Sequence, residues 1–421
     1  MTSKPLLLSV ASVGMACLFL SSARVEQTSG PLPNDVYIWQ RSWTDAVKES
    51  VADHGSSFSE LAPLNAEVSW AKGELTLMRV SIDYATLRAS GRPIALVLRA
   101  GGIAGRLQEG QISRLKELAA SLLAEAASNQ LSVAELQIDF DCAESKLDDY
   151  RRWISVVRRH IAPVPLTITA LPSWLKRRAF KDLIAEADGY VLQVHSLQRP
   201  KALDAPFVLC DPKAARAAVE RAARLGRPFR VALPTYGYLI AFDESGRFVG
   251  LAAEGPSMAW PDGVRLRELR ADATALADLV QEWTRNRPKA LRGLIWYRLP
   301  VPGESLNWAW PTLAAVMTGA SPHPELKAEL RRPRPGLVEL DLLNSGTDDY
   351  RLPVQLSLQW RESRLVACDG LQGFELKDNG NGSVNFQSKS GLAPIAPGER
   401  RMVGWLRLTT EAEVKIEMQS N

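Results

Sequence analysis

The sequence predicts an α/β fold: an eight-stranded parallel βα barrel of the TIM type, followed by a small antiparallel β-sandwich. Three observations carry that expectation. From residue 36 onward, short apolar β-rich runs alternate with helical stretches eight times. Each run ends in polar or aromatic residues, as strands do where they open onto a site. After His323 the helices stop, and alternating strands separated by turn clusters take over.

The first unit is VYIWQR (36–41) with the helical TDAVKESVADH behind it. AEVSW (66–70) opens the second, and LTLMRVSI is placed to pair beside it. PIALVLRAGG (93–102) leads into ISRLKELAASLLAEAAS, whose apolar positions recur at helical spacing. ELQIDFDC leads into LDDYRRWISVVRRHI, PLTITALPSW (165–174) into LKRRAFKDLIAEA, and GYVLQVHSL (189–197) through a loop into DPKAARAAVERAARLG. PFRVALPTYGY (228–238) is followed by a hairpin and then TALADLVQEWTRNR, and LRGLIWYRLPV (291–301) closes the set. An open doubly wound sheet is the competing arrangement. It is disfavoured because no Gly-rich phosphate turn follows the first strand. The barrel is therefore expected over residues 31–320, with a hairpin insertion near 237–260.

The remainder, 324–421, reads differently. LKAELRRPRPG carries Pro333 and Pro335 in a basic, linker-like stretch. Then LVELDLLN, LPVQLSLQW, ESRLVAC, GSVNFQSK, RMVGWLRLT and AEVKIEMQ alternate between turns such as NSGTDD and APGE. Asp378-Asn379-Gly380-Asn381-Gly382 is hairpin chemistry. An Ig-like sandwich is expected, without the Ig disulfide because Cys368 stands alone in it.

Bulk properties narrow the function classes. The 421 residues are 46% hydrophobic and 23% charged, a folded globular composition. Lys and Arg number 51 against 47 Asp and Glu, and the surplus of +4 is dispersed, so no nucleic-acid footprint is formed. At the N-terminus Lys4, an apolar Pro5–Leu20 run and Ser21-Ser22-Ala23 make a signal-peptide pattern over 1–23. Lipid anchoring at Cys17 is disfavoured by Gly14, where a lipobox prefers Leu. No later run reaches the ~18 apolar residues of a membrane helix. The expectation is an exported, periplasmic or extracellular monomer with no membrane span after cleavage. Cys142, Cys210 and Cys368 allow at most one internal disulfide, Cys142–Cys210 first among the pairings. The four histidines are dispersed, so neither a metal nor a cofactor is expected.

The chemistry concentrates at the strand ends. In Leu136–Asp141, Leu136, Ile138 and Phe140 face the helices, while Gln137, Asp139 and Asp141 face the barrel axis. Asp139 and Asp141, about 7 Å apart along the strand, then stand at the C-terminal mouth, where barrel chemistry sits. Other strand ends supply Trp39, Arg41, Trp70, Arg99, Thr169, Trp174, Gln193, His195, Tyr236, Tyr238, Trp296, Tyr297 and Arg298. Aromatic faces around carboxylates suit a sugar ring, which stacks on Trp and donates hydroxyl hydrogen bonds to acids. The expected partner is a polysaccharide or oligosaccharide. Glycoside hydrolysis needs two carboxyls, one of them an acid. Asp139, Asp141 and Glu144 are the candidates, since close carboxylates raise one another's pKa. Structural roles compete: an Arg99–Asp139 ion pair, Asp141 as a helix cap with Glu144 in the first turn, and His195 as a core histidine.

Leu136-Gln137-Ile138-Asp139-Phe140-Asp141 resembles the fourth strand of the chitinase-like glycoside hydrolases, Asp-Gly-x-Asp-x-Asp-x-Glu. Asp139 and Asp141 match its second and third Asp. Leu136 stands where its first Asp would be, Ala143 where its catalytic Glu would be, and Glu144 comes one residue late. VLQVHSL lacks the Tyr-Asp pair of that family, whereas LRGLIWYRL is similar to its last strand. LIAFDESGRFVGLAAEG resembles its inserted subdomain. The whole chain more closely resembles the bacterial family called domain of unknown function 3142, through YIWQR, LQIDFDC, TALPSWL and GLIWYRLP. That resemblance implies a chitinase-like barrel and brings no established reaction. Two functions follow as expectations, a glycan-active hydrolase and a barrel that binds polysaccharide without cleaving it.

Overall fold

Alternation of strand and helix closes into a barrel because each strand is apolar on the face its helix covers. The computed structural model describes residues 25–71, 74–101, 108–196, 200, 202–253, 260–389 and 393–420. The signal-peptide expectation for 1–23 and the anchor at Cys17 lie outside them. Eight parallel strands form the ring: β1 (Asn34–Ile38), β2 (Leu61–Ala71), β3 (Ile94–Gly101), β4 (Val133–Phe140), β5 (Leu166–Ala170), β6 (Gly189–Gln193), β7 (Phe229–Pro234) and β8 (Leu291–Tyr297). They pair in sequence order, and β8 returns to β1 through Leu294–Asn34 and Trp296–Val36. The strand Glu74–Arg79 adds antiparallel to β2, as LTLMRVSI predicts.

The helix after β4, Leu147–Ile161, shows how the outer layer is fastened. Leu147, Tyr150, Trp153, Ile154, Val157 and Ile161 recur on one face and are buried. Burying each such side chain contributes about 1.5–3 kcal/mol. Tyr150 and Trp153 meet Phe140 edge-on, so the outward side of β4 is locked to its helix. Its inward side is thereby committed to the axis. Between β7 and its helix the insertion is larger than a hairpin. Gly237–Phe242 is the centre of three antiparallel strands, flanked by Phe248–Ala252 and by Arg265–Arg270. The third strand escapes the sequence pattern because RLRELR is mostly charged and its two leucines fall three apart rather than two.

At the N-terminal end of the barrel the floor is ionic. Arg230 of β7 reaches Asp35 of β1 at 3.0 Å, Glu60 before β2 at 2.6 Å, and Glu135 of β4. Thr167 of β5 also donates to Glu135.

Beyond His323 two four-stranded antiparallel sheets enclose a separate apolar core. Their strands are β9 (Leu326–Arg334), β10 (Leu337–Asn344), β11 (Val354–Trp360), β12 (Leu365–Gly370), β13 (Phe374–Gly380), β14 (Ser383–Ser388), β15 (Arg400–Leu408) and β16 (Val414–Ser420). The stretch expected as a linker is the edge strand β9. Leu326, Ala328 and Leu330 alternate inward, and a register shift between Arg331 and Arg334 accommodates Pro333. The predicted hairpin joins β13 to β14. The Cys142–Cys210 bridge is not formed. Both thiols are free and buried, since they follow β4 and β6 with β5 between them, and burial pushes each up to about 12. No helix of the described residues is long and apolar enough to cross a membrane.

Candidate active site

Two aspartates, one in β4 and one just past its end, set the chemistry of the mouth. Asp139 is buried at the end of β4. Its Oδ2 takes a charge-assisted hydrogen bond from Arg99 of β3 at 3.0 Å, and its Oδ1 accepts from the Thr169 hydroxyl of β5 at 2.8 Å. Adjacent strands thus hold this carboxylate from both sides. Asp141 lies one alternation further out and makes no hydrogen bond or ion pair among the described residues. The residue is exposed at the rim, but desolvation of its carboxyl by the surrounding mouth, and then the charge of Asp139, push it up to about 6, against the opposing pull of Arg99. Two like groups therefore occupy different states, one clamped and one poised to hold a proton. Asp141 caps no helix: the short turn Glu144–Lys146 starts from Ala143 and the following helix from Lys146.

These carboxyls line a cavity of about 190 Å³. Tyr37 of β1, Trp39 just after it and Tyr297 of β8 form one aromatic side of it, with ring centroids 5.0–5.9 Å apart. The Arg99 guanidinium lies 5.6 Å from the Trp39 ring. Against Tyr297, a chain of hydroxyls runs from Ser196 to Tyr238, from Tyr238 to Tyr236 at 3.1 Å, and from Tyr236 to His195 Nδ1 at 3.3 Å. Burial lowers His195 to about 3, so it is neutral and serves this chain as a hydrogen-bond partner rather than as an acid. Gln193 and Ala232 complete the inner wall, and Ala253 of the insertion reaches the rim.

Ten of the residues singled out in the sequence, Trp39, Arg99, Asp139, Asp141, Thr169, Gln193, His195, Tyr236, Tyr238 and Tyr297, come together here. Gln137 lies fully buried beneath them, donating to the Tyr37 hydroxyl. The others are placed elsewhere. Glu144 is ion-paired with Arg177, off the cavity. Arg41 pairs with Glu67 at 2.8 Å, and buried Arg298 pairs with Glu304 at 3.1 Å. Trp296 follows the opposite alternation to Tyr297 and bonds Asn34. Trp174 sits in an aromatic cluster with Tyr150 and Phe180, and Trp70 is buried on β2 away from the cavity. Tyr37 escapes notice in the sequence, although its place two residues before Trp39 puts both rings on one face. Ser196 and Ala253 carry no sequence signal. Among the described residues no group of His, Cys, Asp and Glu is placed to hold a metal ion.

A family model described as "Domain of unknown function (DUF3142)" matches residues 90–302, from β3 through the loop after β8. The chain belongs to this family. The matched part contains both aspartates and the hydroxyl chain, while Tyr37 and Trp39 precede it. A second model, "Domain of unknown function (DUF8456)", matches residues 328–409 in the sandwich. No curated protein matches. Among solved structures, the Bacillus cereus spore cortex-lytic enzyme SleL is similar at a TM-score of 0.50 and 13% identity, over 69% of this chain and 75% of that one. A chitinase from Chromobacterium violaceum matches at a TM-score of 0.48 and 15% identity, over 68% and 98%. The SleL likeness is one of fold.

Proposed function

We propose that the protein is an exported glycan-active enzyme that hydrolyses a glycosidic bond of a polysaccharide at the β4 mouth. The observation that carries the reading is the pair Asp139–Asp141, one clamped by Arg99 and Thr169 and the other unpartnered with its carboxyl raised to about 6. Protonated Asp141 donates to the leaving glycosidic oxygen as the bond to the anomeric carbon breaks. The Asp139 carboxylate faces the positive charge that develops on the ring. Water then adds its hydroxyl to the anomeric carbon and returns its proton to Asp141. Trp39, Tyr37 and Tyr297 offer aromatic faces to the sugar, and the Tyr236–Tyr238 hydroxyls exchange hydrogen bonds with its polar edge. Glu144 would act only if its pairing with Arg177 were exchanged for the mouth. Product analysis on a panel of polysaccharides tests this. The wild type releases reducing ends and Asp141→Asn loses at least a hundredfold in rate; equal rates in the two proteins would sink the mechanism.

A second reading is a barrel that binds polysaccharide and leaves it intact. Glu144's engagement with Arg177 favours it, because it leaves a single unpartnered carboxyl at the mouth. Glycan binding by the wild type with no product from any bound glycan would select this reading.

A further inference from the structure

A second cavity, about 640 Å³, lies where the barrel meets the sandwich and shares no lining residue with the mouth. Its barrel wall is the loop after β8 and the start of the helix Trp310–Met317. Its sandwich wall is the segment between β14 and β15, from Ala393 to Glu399, with Asp349 beside it.

Both walls are stiff. Pro300, Pro302, Pro394 and Pro397 fix the backbone on the two sides. Arg270 ties three bodies together, reaching Asp349 of the sandwich at 3.8 Å, the Ser305 carbonyl of the loop, and Glu268 on its own strand at 2.5 Å. Arg351 returns to Glu268 at 3.6 Å. Two polar links across the junction hold the walls apart, so the space is a preformed cleft, in the size range of about 300–1,000 Å³ for ligand sites and at a domain junction where such sites concentrate.

The lining chemistry selects the ligand. Trp308 spends its indole N–H on the Ala271 carbonyl at 3.2 Å, and therefore offers the cleft an apolar ring. Trp310 is held flat against His54, with ring centroids 4.1 Å apart and planes 4° from parallel. The charged groups at the edge already have counter-charges: Glu304 with Arg298, Asp349 with Arg351, Glu399 with Arg401. A charged ligand finds no open partner there. A carboxylate accepts up to about four hydrogen bonds, so Glu304, Asp349 and Glu399 still accept from hydroxyls. Flat apolar surface beside neutralised acceptors fits a neutral, hydroxyl-rich ring.

We propose that this barrel–sandwich cleft is a second binding site, for a neutral oligosaccharide segment. The inference rests on the glycan reading of the mouth and adds a subsite that the mouth does not supply. Calorimetric titration of the full chain with neutral hexasaccharides (cellohexaose, xylohexaose and N-acetylchitohexaose) tests it. At least one sugar binds the wild type at two sites per chain. Filling the cleft by Ala396→Trp, or from the opposite wall by Ser305→Trp, removes one site or weakens it at least tenfold, with the melting midpoint retained. Trp39→Ala removes the other. Binding that both cleft variants leave unchanged and Trp39→Ala abolishes would overturn the cleft and leave the mouth reading standing. Binding lost only in the cleft variants supports the cleft and refutes the mouth. No binding of any hexasaccharide overturns both.

Discussion

Asp139 on β4 and Asp141 just past its end are two residues apart, yet their surroundings separate them completely. Arg99 and Thr169 reach the inner one because β3 and β5 flank β4 in register, Arg99 opposite Asp139. The outer one has passed the last strand pairing, and there desolvation and its neighbour's charge outweigh the pull of Arg99. Work done by Asp141 as an acid has a pH signature. Its protonated form is present below about 6 and is lost above it. Hydrolysis rates measured from about pH 4 to about pH 9 are therefore expected to fall as pH rises through a limb near 6. A rate that stays flat across that limb would assign the proton to another group.

The strand set carries a second titratable device on the barrel floor. One guanidinium, Arg230, faces three carboxylates from three other segments, all within a largely buried layer. Burial, and then Glu135, raise the Glu60 carboxyl to about 7 from 4.5. The folded floor thus keeps a proton that the unfolded chain releases. A raised folded pKa contributes stability that is fully present below about 4.5 and is lost as pH rises through about 7. The melting midpoint is expected to drop between about pH 5 and about pH 8.5. Glu60→Gln, which keeps a hydrogen-bond acceptor for Arg230 without the charge, should flatten that drop. Parallel pH–midpoint curves for the two proteins would refute the assignment. By contrast, removing Arg230 leaves three carboxylates facing one another, at a cost of about 3–5 kcal/mol.

At the scale of the molecule, two apolar cores are closed separately, one in the barrel and one between the sandwich sheets. The junction between them is partly open, built on the ion pairs of Arg270 and Arg351 and on the cleft. Scanning calorimetry should accordingly resolve two unfolding transitions rather than one. Gly404 assigns the second: a Cβ there would meet the Phe386 ring across the sandwich at 2.1 Å. Gly404→Ala is expected to cost about 1–3 kcal/mol through overpacking, lowering one transition by several degrees and leaving the other in place. A single transition that moves as a whole would show the two cores to be one cooperative unit.

The eight-fold alternation, the apolar outer stripe of Leu147–Ile161 and the inward aspartates of β4 were all legible in the residues. These are local periodicities, and a strand or helix face depends only on its own spacing. The edge strand β9 and the third insertion strand were not, because prolines and a high density of charge hide a period that pairing across a sheet still accepts. Side-chain partners were less legible still. Trp70, Trp174 and Trp296 look like Trp39 in the sequence, but strand parity and helix packing turn them away from the mouth. Glu144 stands one position from where an acid would be expected, and Arg177, thirty-three residues later, settles which way it turns. By itself, then, the sequence determined the barrel, its strand order and which strand carries the acids. Only the tertiary structure decided which aspartate is clamped, which aromatic rings share the cavity, and that a second cleft opens against the sandwich, since each depends on contacts between segments far apart in the chain.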